Sequence, residues 1–172
     1  MNIGPPIYPG PWAQESERPM STRAVKYLNR KHVSFEVVKY EHIEKGVEFA
    51  AGATGFPLGR TVKTLVVYLE GCNYCLALVP GDRRLDLKQM ARVLEVKRAA
   101  MADTATAERL TGYLVGGISP FGTKQALAAV MEKQIREHEE VLINAGQRGT
   151  MLKMAPEDIV KALGCRVASI AR

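Results

Sequence analysis

The sequence predicts a mixed α/β (α+β) fold, a single compact domain whose mixed β-sheet is flanked by helices, and three observations carry that expectation. Two near-continuous apolar runs, residues 62–69 and 74–79, are separated by a short stretch holding Gly71 and Asn73. Such a pair reads as an antiparallel hairpin at the centre of a sheet, where both faces are covered. Capped helical patterns alternate with strand-like segments on either side of it. The 172 residues, 47% hydrophobic and 24% charged, suffice to bury one core without a disulfide or a metal.

Taken in order, residues 1–20 carry five prolines and little periodicity. They read as a Pro-rich tail unable to offset its ordering entropy, leaving 21–172 as the domain. Ser21 suits the N-cap of a helix in which Ala24, Val25 and Leu28 share a face and Arg30 and Lys31 complement the dipole. From Ser34 to Tyr40 the chain alternates as a half-buried strand, with Phe35 and Val37 inward. Residues 47–53 form an Ala-rich helical turn before a Gly-rich break over 52–59. Beyond the hairpin, Asp86 with Gln89 at N3 starts a helix whose stripe is Leu87, Met90, Ala91 and Leu94. Asp103 starts another, which stops at Gly112. Residues 126–139 are rich in Ala, Met, Gln and Glu, and propensity assigns them to helix. A short strand over 141–144 precedes a helix over 156–163, with Pro156 at N1 and Gly164 past its end. Residues 165–170 close the chain as a strand.

The net charge of +6 favours a polyanionic partner, because Lys and Arg on phosphates release condensed counterions. No apolar run reaches the roughly 18 residues of a membrane span, and the start lacks the n- and h-regions of a secretory signal; a cytoplasmic location is expected. Cys72, Cys75 and Cys165 make no disulfide framework. The first two have CxxC spacing, yet they lie beside a turn between strands and lack a second ligand pair for zinc. Reduced structural thiols, no metal and no cofactor are expected. GxSxG, HExxH, P-loop and GxGxxG patterns are absent.

Three segments could carry chemistry. The stretch TGYLVGGISPFG, residues 111–122, holds Gly116, Gly117, Ile118, Ser119, Pro120 and Gly122. Glycine permits close approach to backbone N–H groups and proline fixes the chain, so main-chain donors could hold an ester carbonyl or a phosphate. An ordinary tight connection has the same look. Lys63 sits beside Thr64 at the mouth of an apolar strand, where an ammonium must reach solvent, a counter-charge or a ligand; snorkelling at a strand end is the plain alternative. In NAGQRG, residues 144–149, Arg148 between two glycines could grip a phosphate or punctuate a turn. His42 is a candidate general base or simply a strand-end histidine.

In sequence order, TRAVKYL, SFEVVKYEH, VKTLVVYL, LDLKQMARVL, MADTATAERLTGYLVGGISPFG and GQRG resemble the YbaK/EbsC family of aminoacyl-tRNA deacylases. That family is related to the editing domain of bacterial prolyl-tRNA synthetases, and the resemblance runs over 21–172. It implies hydrolysis of the ester linking a mischarged amino acid to tRNA, with Lys63 as the key functional residue. It also implies that Tyr40, Thr64, the loop residues named above, Asn144, Gly146 and Arg148 bind substrate. The partner implied is a mischarged aminoacyl-tRNA, tRNA(Pro) carrying Cys, Ala or another small amino acid, with prolyl-tRNA synthetase as a further candidate. Cysteine-specific members resemble Ser-Gly-Gly-x-Arg-Gly where this chain has Asn144-Ala145-Gly146-Gln147-Arg148-Gly149, and they tend to be acidic where Met151 stands. Both departures bear on which amino acid is cleaved. Two other classes stay open, a non-catalytic RNA-binding relative and a small-ester hydrolase with a cysteine nucleophile.

Overall fold

The computed structural model describes residues 22–71 and 73–172; the expected tail, the Ser21 cap and Cys72 lie outside them. Thr22 is the N-cap of α1 (Arg23–Arg30), in place of the expected Ser21. Its hydroxyl accepts from the Val25 N–H and donates to the Ala145 carbonyl, so one side chain both starts the helix and ties it to the sheet. Strand β1 (Glu36–Lys39) is shorter than expected. Val37 is turned out, 37% exposed, while Val38 packs inward. The periodicity misplaces Val37 because Phe35 lies before the strand and packs into a different cluster.

Helix α2 (Val47–Thr54) ends at Gly55 in the left-handed region. A 3-10 turn then leads into β2 (Thr61–Leu69) and β3 (Asn73–Pro80), which pair antiparallel from Val62↔Pro80 to Leu69↔Asn73, as the two apolar runs predict. Asp86 caps α3 (Leu87–Val93), accepting from Lys88 and Gln89 N–H. Strand β4 (Ala99–Met101) has no counterpart in the sequence reading; three residues carry too little periodicity to announce a strand. Asp103 caps α4 (Thr104–Thr111), and Gly112 ends it with positive φ.

The helix expected over 126–139 is absent. Its place is taken by β5 (Ala128–Glu132) and a 3-10 turn, Lys133–Glu137. Pairing of β5 in parallel with β3 outweighs local propensity. Strand β6 (Val141–Gln147) runs past the expected Asn144, turns at Arg148 and Gly149, and pairs antiparallel with the unexpected β7 (Thr150–Met154), with a bulge between Asn144 and Gln147. Helix α5 (Pro156–Leu163) has the expected Pro at its start and Gly164 at its end, and β8 (Arg166–Ala168) closes the sheet, shorter than 165–170.

The sheet runs β1-β7-β6-β2-β3-β5-β8, with β4 paired to β2. On one face α1, α4 and α5 bury Leu28, Leu110 and Ile159 against Val62, Val66, Ile143 and Leu152. On the other, α3 packs Met90 on Val67, Ala77 and Val79, and α2 sets Ala50 on Leu142 and Met151. One irregularity positions the site. Strand β6 pairs with β2 only at Thr61 and Val62, whereas β4 pairs only from Val67 onward. Residues 63–66 therefore have β3 on one side and a gap on the other.

Candidate active site

A cavity of about 470 Å³ occupies that gap. Because side chains alternate along β2, Lys63 and Leu65 enter it from the α2/α3 face, and Val62, Thr64 and Val66 from the other. All five line it. Ala102 N–H bonds the Val66 carbonyl at 3.0 Å, which sets the direction of the alternate peptides. By the same alternation the Thr64 N–H and C=O point into the gap, where no strand receives them. The Thr64 hydroxyl is also buried without a hydrogen-bond partner. Buried polar groups are rarely left so; here one residue facing a cavity carries three of them.

Lys63 is half-buried and belongs to neither ion pair among the described residues, Arg136–Glu157 and Lys153–Glu36. Burial holds its pKa below the ordinary lysine value. The Glu48 carboxylate works against that shift, Arg84 adds to it, and Asp82 opposes it weakly. Among the described residues Glu48 is the only carboxylate lining the cavity and Lys45 the only other cation.

The loop after α4 forms the opposite wall with Val115, Gly116 and Ile118, and its shape is held from outside. Glu108 accepts from Val115 N–H at 2.9 Å. Arg148 donates through Nε and Nη2 to the Val115 carbonyl at 3.1 and 2.7 Å. Asn144 Nδ2 reaches the Gly116 carbonyl at 3.4 Å, while its Oδ1 accepts from Gly146 N–H. With both Val115 groups and the Gly116 carbonyl engaged, the Gly116 N–H remains without a partner among the described residues.

Of the residues singled out from sequence, Tyr40, Lys63, Thr64, Gly116, Ile118 and Asn144 line the cavity. The others stand behind it. Gly117 lies against the Arg148 backbone. The Ser119 hydroxyl accepts from Phe121 N–H, and Ser119 and Pro120 are buried. Gly122 abuts the Arg23 carbonyl and Gly146 the Tyr113 ring. Arg148, read as a possible phosphate grip, has its fork on a backbone carbonyl. His42 does not line the cavity; its ring lies edge-on to Tyr40, with Nδ1 buried and unpartnered. Sequence reasoning missed Glu48, Lys45 and Met101. Glu48 follows a Gly-Val pair at the start of a short helix, a pattern with no chemical signature.

Among the described residues no Ser, Cys or His lines the cavity. Cys75 is buried in the sheet core, and burial pushes its thiol up to about 11, which leaves almost no thiolate at neutral pH. Among the described residues no group of His, Cys, Asp and Glu could hold a metal, and no helix is long and apolar enough to cross a membrane.

Comparison with known proteins adds a family. The aminoacyl-tRNA editing domain matches residues 42–162. The chain is 28% identical over 151 residues to an Enterococcus faecalis protein provisionally named Cys-tRNA(Pro)/Cys-tRNA(Cys) deacylase EbsC, covering 87% of this chain and 92% of that one. It is 31% identical over 139 residues to the multifunctional Ser/Thr-tRNA deacylase ProXp-y of Escherichia coli (strain K12), covering 77% and 83%. A solved structure provisionally assigned as a trans-editing enzyme for prolyl tRNA synthetase superposes with TM-score 0.79 at 26% identity, over 90% of this chain and 99% of that one.

Proposed function

This chain belongs to the aminoacyl-tRNA editing-domain family and is an aminoacyl-tRNA deacylase; from that premise we propose that it frees tRNA(Pro) of a small, wrongly attached amino acid and that Lys63 serves the chemical step. The observation that carries the reading is an ammonium outside both ion pairs found among the described residues, facing a cavity in a gap of the sheet. Ester hydrolysis adds a water oxygen to the carbonyl carbon and moves the π electrons onto the carbonyl oxygen. Collapse then breaks the bond to the ribose oxygen, which takes a proton that came from the water. The transient oxyanion needs fixed positive potential, which Lys63 supplies from one wall and the free Gly116 N–H from the other. A side-chain nucleophile is not required. Water, or a group of the substrate itself, attacks.

Asn144 and Met151 form a neutral pair on the cavity wall, and we assign the substrate's amino-acid side chain to it, since such a pair suits a small uncharged residue such as Ala or Cys. Apolar pockets discriminate weakly by size, so more than one small amino acid should be cleaved. The test is single-turnover deacylation of a panel of tRNA(Pro) species charged with Ala, Cys, Ser, Thr and Pro. Cleavage of the small noncognate esters with Pro-tRNA(Pro) spared is expected. Release of none of them would overturn the reading.

A further inference from the structure

We propose that the exposed basic strip formed by α3 and the segment leading into β4 is the surface that holds the tRNA backbone, with the strip ending at the mouth of the cavity. The inference rests on the deacylase reading and adds where the rest of the substrate lies. Residues 83–98 contain six of the chain's 24 Lys and Arg, namely Arg83, Arg84, Lys88, Arg92, Lys97 and Arg98, and only two acids, Asp86 and Glu95. All six cations are exposed, and none enters either ion pair among the described residues. Asp86 is already occupied in capping α3. A solvated basic face is common, and position makes this one more than that.

Both ends of the strip meet the site. At one end Arg84 is close enough to Lys63 to depress its pKa. At the other, Lys97 and Arg98 run into β4, whose last residue, Met101, is 47% exposed and lines the cavity. Two further cations border the strip, since Arg166 donates to the Val93 carbonyl and Arg172 pairs through its backbone with Arg84. Unpaired cations draw an RNA backbone by counterion release, and the exposed Met101 offers an apolar surface where the last nucleotide turns inward. A chain of phosphates laid along the strip would thus deliver its 3′ end to Lys63.

The test compares two triple variants that remove the same charge. One is Lys88→Gln, Arg92→Gln and Lys97→Gln; the control, on the opposite helices α1 and α5, is Lys26→Gln, Arg30→Gln and Lys161→Gln. Affinity for uncharged tRNA is measured against salt, and turnover is measured on mischarged tRNA and on a short aminoacyl-adenosine ester. The strip variant should lose roughly tenfold or more in tRNA affinity, and its log–log salt slope should shrink by about 2–3. Cleavage of the short ester should be unchanged, and the control should bind tRNA like the parent protein. An unchanged slope in the strip variant, or an equal loss in the control, would overturn the proposal. Because uncharged tRNA is not cleaved, the binding result stands apart from any failure of the deacylase reading.

Discussion

Lys63 is the one cation that the central strand β2 sends into the cavity. If it stabilises developing negative charge, Lys63→Ala should lose on the order of 10² or more in single-turnover rate, about 3 kcal/mol of barrier. Lys63→Arg should also fail, because a planar fork does not fill the place of a compact ammonium. The fold should tolerate either change. A lysine whose folded pKa is depressed binds fewer protons folded than unfolded, so its charge opposes folding below that pKa and the penalty fades as pH rises. Thermal midpoints check this, and unfolding of Lys63→Ala would demote the residue to a structural one. The same shift has a kinetic face. The working ammonium should be lost as pH rises through a value below the ordinary lysine pKa. Glu48 holds that value up, so Glu48→Gln should move the alkaline limb of the pH–rate profile further down; a limb that stays in place would separate Glu48 from Lys63.

At the scale of elements, the loop between α4 and β5 owes its shape to backbone contact with α1. Gly122 has φ +63, and a Cβ there would meet the Arg23 carbonyl oxygen at 2.6 Å and its carbon at 2.9 Å. Backbone cannot swing aside as a side chain can. Gly122→Ala should therefore cost roughly 2–4 kcal/mol and lower the thermal midpoint by roughly 5–15 °C. Gly52→Ala is the contrast, since it sits inside α2 with open space around it; replacing it should stabilise by about 0.5–1 kcal/mol. Equal effects of the two would mean that the loop does not depend on this contact. These elements also show what was legible in the sequence. Caps at Asp86 and Asp103 and the stops at Gly112 and Gly164 are local chemistry, and all four are found. Strand β5 was not legible, because Ala, Met and Glu form strand here only through partners far along the chain. The cavity was legible in part. Lys63 and Gly116 stand out as a charge beside apolar residues and a glycine in a crowded loop. Glu48 and Met101 reach the cavity only because β2 loses its neighbour between β6 and β4.

That missing neighbour is a property of the whole molecule, since four strands and two helix layers must converge to leave residues 63–66 open on one side. A gap of this kind leaves binding energy unspent in the free protein: the Thr64 peptide and hydroxyl, the Lys63 ammonium and the Gly116 N–H all lack partners among the described residues. A ligand that satisfies them binds the folded chain and not the unfolded one, so it must raise stability by linkage. At a hundred times its Kd the gain is about 2.7 kcal/mol, which for a chain of this size is roughly 5–10 °C in thermal midpoint. The probe is an adenosine carrying alanine through a 3′-amide, which the enzyme should bind without the ready cleavage of an ester. Hydrogen exchange locates the effect. The Thr64 amide should exchange quickly in the free protein despite its central strand, and slow when the probe is bound. Its neighbours Lys63 and Leu65, whose register with Val79 and Ala77 turns their amides toward β3, should be protected in both states. Lys63→Ala should reduce the thermal shift while leaving Thr64 exchange in the free protein fast. A probe that inhibits turnover yet leaves both midpoint and Thr64 exchange unchanged would place the reacting ester elsewhere than in the gap.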